Sequence, residues 1–65
     1  MTKPTVKYDP DADAAYIRFS AGAVEESEEV SPGIVLDFDK DGHIVGMEVL
    51  QARKQLPPDM LEQAA

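Results

Sequence analysis

Turn-forming residues interrupt this chain so often that, before Gln51, hardly any stretch between them is long enough to make a stable helix. The breaks fall at Asp9-Pro10-Asp11, Ala21-Gly22, Ser31-Pro32-Gly33, Asp39-Lys40-Asp41-Gly42 and Leu56-Pro57-Pro58. Proline fixes φ and lacks an N–H donor, while Gly, Asn and Asp readily take turn conformations, so each cluster ends a regular element. A helix stable enough to persist needs about 10 to 12 residues. The intervals suit strands instead.

Thr5 to Tyr8 reads as a first strand. Ala14 to Ser20 alternates, with Ala15, Ile17 and Phe19 on a core face and Tyr16, Arg18 and Ser20 on the other. In Val24 to Val30 the two valines are six apart, a spacing that fits one face of a strand and misaligns on a helix. Its four glutamates make it a charged edge strand, of the kind that discourages pairing with a second chain.

Ile34 to Phe38 and His43 to Leu50 are expected to form a hairpin around Asp39-Lys40-Asp41-Gly42. Setting Phe38 opposite His43 places Leu36 opposite Val45 and Ile34 opposite Met47, so apolar side chains meet. A slip of one residue would bring mismatched faces together. Beyond Ala52 the pattern changes. After Pro57-Pro58, Asp59 is a candidate N-cap with Glu62 at the third helical position, which predicts a short terminal helix if Met60 and Leu61 dock on the sheet, and a frayed tail otherwise. The expected fold is α+β and mainly β: one domain over residues 1–65, a small antiparallel β-meander with a short C-terminal helix or tail. Val6, Ile17, Phe19, Ile34, Leu36, Val45, Met47 and Val49 would need a cover larger than that helix, by curling of the sheet or by a second copy. Ile44 and Leu50 would stay exposed in a single-layer monomer.

A 65-residue chain buries only about 60% of the surface its unfolded form exposes, so the core is thin. It has no cysteine, which removes disulfides, thiolate nucleophiles, zinc–thiolate sites and iron–sulfur clusters. The cytoplasm is the expected compartment. The residues Met1 to Lys7 hold no apolar signal region, and no run approaches the ~20 apolar residues of a bilayer span, so neither secretion nor membrane insertion is expected. A net charge of −7 should repel nucleic-acid phosphates and anionic lipid. Residues 9–31 alone carry seven acidic groups against Arg18. That imbalance serves solubility, and it also suits docking of a basic partner.

Asp37 to Glu48 follows the twelve-residue calcium loop of an EF-hand, with Asp at positions 1, 3 and 5, Gly at 6 and Glu at 12. The flanks oppose the helices such a loop needs, because Pro32, Gly33 and a run of β-branched residues precede and follow it. A hairpin turn explains the same Asp and Gly residues. Asp37, Asp39 and Asp41 therefore remain candidates only for weak cation association. His43, the single histidine, lies beside Asp41 without a nucleophile, a second histidine or a Gly-rich phosphate loop to work with, so no catalytic residue and no cofactor are expected. Tyr8, Asp13, Tyr16 and Arg18 cluster in sequence, and Tyr and Arg favour interface hot spots, which makes these four the candidate partner contacts.

Tyr8-Asp9-Pro10-Asp11-Ala12-Asp13-Ala14-Ala15-Tyr16-Ile17-Arg18-Phe19-Ser20, the acidic stretch through Ser27 and Val30, and Pro32-Gly33-Ile34-Val35-Leu36-Asp37-Phe38-Asp39 with Gly42, Ile44, Val45-Gly46 and Glu48 together resemble the small prokaryotic domain-of-unknown-function 2283 family. The resemblance spans about residues 6–52. It implies a small, mostly β domain with no assigned biochemical role. It also implies an antitoxin-like or masking role, since similar proteins are sometimes encoded beside small basic toxin-like ones. The expected function is thus a protein-interaction module, as a homodimer or as the acidic partner of a basic protein. A cation-binding module at Asp37–Gly42 is the alternative from another class, and an enzyme is the third.

Overall fold

Strand β5 (Ile44–Leu50), the longest of the five, occupies the middle of the sheet. The computed structural model describes residues 3–64. Ahead of β5 come β1 (Thr5–Asp9), β2 (Ala14–Arg18), β3 (Glu26–Ser31) and β4 (Ile34–Phe38), and behind it α1 (Ala52–Gln55) and α2 (Pro58–Ala64). All neighbouring strands are antiparallel, in the order β1-β2-β5-β4-β3. The α+β, mainly β class is as expected. The simple meander is not: β2 and β3 follow each other in sequence, yet β5 and β4 lie between them. Burial explains the departure. β5 can bury residues against neighbours on both sides, whereas every residue of β3 is exposed, so β3 belongs at an edge.

Cross-strand registers line the side chains up in rows. Tyr8, Ala15, Val49, Ile34 and Ser31 form one row, and Val6, Ile17, Met47, Leu36 and Glu28 the next, both on the same face. Interleaved on the other face are Lys7, Tyr16, Glu48, Val35 and Glu29, and then Thr5, Arg18, Gly46, Asp37 and Ser27. The helices cover one end of the first face, where Ala52 and Leu61 pack on Ala15 and Val49 with Tyr8, Ile34, Met47 and Leu56 around them. Val49 and Ala52 are fully shielded. Among the described residues no helix packs on the second face.

The hairpin of β4 and β5 forms, but its register is two residues beyond the expected one: Leu36 faces Met47 and Ile34 faces Val49. Half of the shift comes from the turn, where Asp39 N–H donates to His43 O at 2.9 Å and Phe38 pairs with Ile44. The other half is a bulge, with Asp37 opposite Gly46 and Val45 left over. A shift of two preserves the alternation, so apolar side chains still meet. Phe19 lies beyond the end of β2 and is 37% exposed, outside the expected core. Ile44 and Leu50 are exposed, as expected for a single layer.

At the C-terminal end, α2 begins at Pro58, so Asp59 lies in its first turn and does not cap it. Leu61 docks and is buried, while Met60 is half-buried. The sequence did not foretell α1, a single turn started by Gln51 in the left-handed region (φ 53) with no side-chain cap of its own. Its cap comes from the other end of the chain: Asp13 O accepts Ala52 N–H at 2.9 Å, and Asp13 Oδ1 accepts Arg53 N–H at 3.1 Å. Removing the Leu61 side chain opens a cavity over Ala15 and Val49. Leu61→Ala is therefore expected to lower unfolding stability by about 2–3 kcal/mol, read as a reduced urea midpoint at unchanged m-value.

Candidate functional site

On the helix-free face a chain of polar side chains runs across four strands. Ser27 Oγ donates to Asp37 Oδ1 at 2.6 Å, and Tyr16 Oη donates to Asp37 Oδ2 at 2.6 Å. Arg18 Nη1 in turn donates to Tyr16 Oη at 3.3 Å, and Arg18 Nη2 to the carbonyl of Gly22. Tyr16 reaches Asp37 only by passing over Gly46 on the strand between them. A Cβ on Gly46 would lie 2.7 Å from Tyr16 Cζ, closer than any real contact, so the missing side chain is what permits the link. The two hydrogen bonds, Ser27's the larger, hold the Asp37 carboxyl below its usual range. The Asp37 bond, followed by burial, raises the Tyr16 hydroxyl above its own.

The four candidate partner contacts do not form one cluster. Tyr8 and Tyr16 fall in rows on opposite faces of the sheet. Tyr8 packs against the core, and its Oη donates to Asp13 Oδ1 at 2.8 Å. Asp13 adopts the left-handed conformation (φ 51) and caps α1, with the Arg53 guanidinium Nε 4.0 Å away. The Tyr8 hydrogen bond holds the Asp13 carboxyl low. Tyr8 and Asp13 are thus structural, and Tyr16 and Arg18 alone present themselves on the open face.

The three candidate cation ligands separate in the same way. Asp37 is engaged by Ser27 and Tyr16, away from the turn. Asp39, Asp41 and His43 do bring ligand atoms within 4.8 Å of one another. The Asp39 carboxylate, however, already closes the turn: Oδ1 accepts Asp41 N–H at 2.9 Å and His43 N–H at 2.9 Å, and Oδ2 lies 3.3 Å from His43 Nδ1. Those backbone bonds, the His43 N–H foremost, hold the Asp39 carboxyl below its usual range. Gly42 (φ 85) supplies the left-handed residue that such a turn needs. Turn chemistry accounts for the EF-hand-like spacing, and Glu48 is not part of the cluster.

A run of exposed glutamates lies along the β3 edge and just before it. Glu25, Glu26 and Glu28 line a cleft of about 320 Å³ with Phe38, Asp39 and Lys40. Among the described residues no ion pair within 4.0 Å involves Glu25, Glu26, Glu28 or Glu29. Sequence reasoning anticipated this edge but missed Ser27, Gly22 and Gly46. Only Gly46 carried a signal, as a lone glycine inside a strand of otherwise large residues.

Fold and surface together define a small α+β domain with one helix-covered sheet face, one open face and one acidic edge. Residues 5–53 match the sequence family described as a protein of unknown function (DUF2283), and the chain belongs to that family. The match takes in all five strands and the start of α1, leaving α2 outside. No curated protein and no solved structure matches the chain. Among the described residues no helix is long and apolar enough to cross a membrane.

Asp13, Asp37 and Asp39 all have folded-state pKa values shifted below the unfolded one. Their contribution is present above about pH 4 and is lost as pH falls through the lower folded values. The two tyrosines are shifted upward, so theirs holds below about pH 10 and is lost as pH rises past the folded value. Urea midpoints measured from pH 7 to 2 should fall below pH 4, and Asp37→Asn should flatten that fall. Gly46→Ala is expected to cost about 1–3 kcal/mol, because the added methyl displaces the Tyr16 ring.

Proposed function

We propose that this chain is a protein-interaction module whose β3 edge accepts an extended basic segment of another polypeptide, an antitoxin-like masking of a basic partner. The observation that carries the reading is the edge itself. All six residues of β3 are exposed, its outer side has no neighbouring strand, and its glutamates have no ion-pair partner among the described residues. An open sheet edge binds a peptide through main-chain hydrogen bonds, and side chains on alternate positions set the specificity. Glu26 and Glu28 project toward the helix-covered face and Ser27 and Glu29 toward the open one, as their registers with Phe38, Leu36, Asp37 and Val35 require. A partner strand with Lys or Arg at alternate positions matches the first pair. An acidic partner, or a second β3, would set like charges together.

This reading makes the chain a binding protein and not an enzyme, one that works in the cytoplasm without a cofactor and away from nucleic acid and membrane. The net charge of −7 supports that choice of partner class. His43 supports it too, with a side chain 77% exposed and turned to Asp39 in the turn. Cation binding at Asp39, Asp41 and His43 draws less support, because it would have to compete with the backbone amides for the Asp39 carboxylate.

A synthetic peptide of alternating Lys and Val, titrated at low salt into isotope-labelled protein, should shift the amide resonances of residues 25–31 selectively. Binding should weaken steeply on adding salt and be lost in a Glu26→Lys/Glu28→Lys variant. Shifts spread evenly over the surface, or equal binding of a Glu/Val peptide, would refute the assignment. On the same reading, calcium leaves the melting temperature unchanged, whereas a rise reversed by chelator would favour the cation site.

A further inference from the structure

The helix-free sheet face stands apart from the β3 edge, and its charges are not mixed at random. In the row Lys7, Tyr16, Glu48, Val35 and Glu29 the positive group lies on β1 and the negative groups on β5 and β3. In the row Thr5, Arg18, Gly46, Asp37 and Ser27 the cation is again on the β1–β2 side and the anion on β4. The next row on this face, Asp9, Ala14 and Leu50, sets one acid on β1, so the β1–β2 half carries Lys7 and Arg18 against Asp9, while the β5–β4–β3 half carries only the acids Glu48, Glu29 and Asp37; Tyr16, Val35 and the 41%-exposed Leu50 supply apolar surface between and beside them. Lys7 and Glu48 are exposed, and among the described residues neither has an ion-pair partner. We propose that this face binds a second copy of the chain, sheet against sheet, as a two-fold symmetric homodimer.

Symmetry selects the arrangement. A two-fold axis lying between the sheets and perpendicular to the strands would set each Lys7–Arg18 half over its counterpart, positive on positive. An axis parallel to the strands reverses the strand order of the partner, so the basic half of each copy covers the acidic half of the other. With that axis between β2 and β5, Tyr16 of each copy meets Glu48 of its partner. Lys7 then lies over Val35 of the partner, with the partner's Glu48 and Glu29 one strand to either side. Aligned sheets pack about 10 Å apart at about −30°, which fans the rows without exchanging the halves.

The molecule is a slab of 32 × 29 × 17 Å, and its five strands, about 4.8 Å apart and about 17–23 Å long, offer a sheet face of roughly 400–500 Å², which suits a weak dimer below the ~800 Å² per partner of a standard interface. Its accessible surface of 4692 Å² exceeds the about 4,100 Å² that size scaling gives for a compact monomer of this mass. The outer edge of β3 stays free in this arrangement, so peptide binding there and self-association here succeed or fail independently.

The test is sedimentation of the purified full chain from micromolar to millimolar concentration, for wild type, Lys7→Glu, Glu48→Lys and the Lys7→Glu/Glu48→Lys double variant. Both substitutions are at exposed positions, and circular dichroism should show all four folded. Wild type should dimerise reversibly. Each single reversal should raise the dimer dissociation constant by about tenfold or more, and the double variant should recover most of that loss. A wild type that stays monomeric throughout, a dimer indifferent to either reversal, or a double variant weaker than both singles would each overturn the proposal.

Discussion

Everything in this fold depends on β5 receiving a strand on each side. It lies between β2 and β4, which carry both the helix-covered core and the open-face network, and it serves both: Val49 fills the core, and the bare position at Gly46 lets Tyr16 cross to Asp37. A chain this short cannot build two cores, so it sets one strand where both layers of interaction pass through it. The helices add little area, yet they land where β5 and β2 are already paired, on Val49 and Ala15. The result is a sheet buried on one face and braced on the other by hydrogen bonds.

The brace has a division of labour. Asp37 gathers Ser27 from β3 and Tyr16 from β2, and Arg18 extends the line to the Gly22 carbonyl in the connection that leads into β3. The edge strand is therefore tethered from two directions, although none of its side chains is buried. That combination, a tethered backbone with exposed glutamates, supports the proposed peptide edge, because little ordering would remain to be done on binding.

Much of the architecture was legible from alternation and turn chemistry, and each failure has its own physical cause. Alternation reports parity: it told which face Leu36 and Ile34 would occupy, and a shift of two residues in their pairing changes nothing that parity can detect. Strand order is equally invisible to it, although the charge on Glu26, Glu28 and Glu29 did mark β3 as an edge. Grouping Tyr8 with Tyr16 failed because nearness in sequence is not nearness on a sheet. With Tyr8 opposite Ala15, Tyr16 must point the other way. The cap on α1 could not be read at all, since it joins residues forty positions apart.

That distant cap bears on how the chain assembles during synthesis. Asp13 leaves the ribosome 40 residues ahead of Arg53, whose amide it caps, and the central strand precedes that amide by only a few residues. Until Arg53 follows, the left-handed Asp13 has only the Tyr8 hydroxyl of its own hairpin to hold it. Pairing β2 with β5 closes a long loop before any reward in burial, so folding should be a late and concerted event and not a strand-by-strand accumulation.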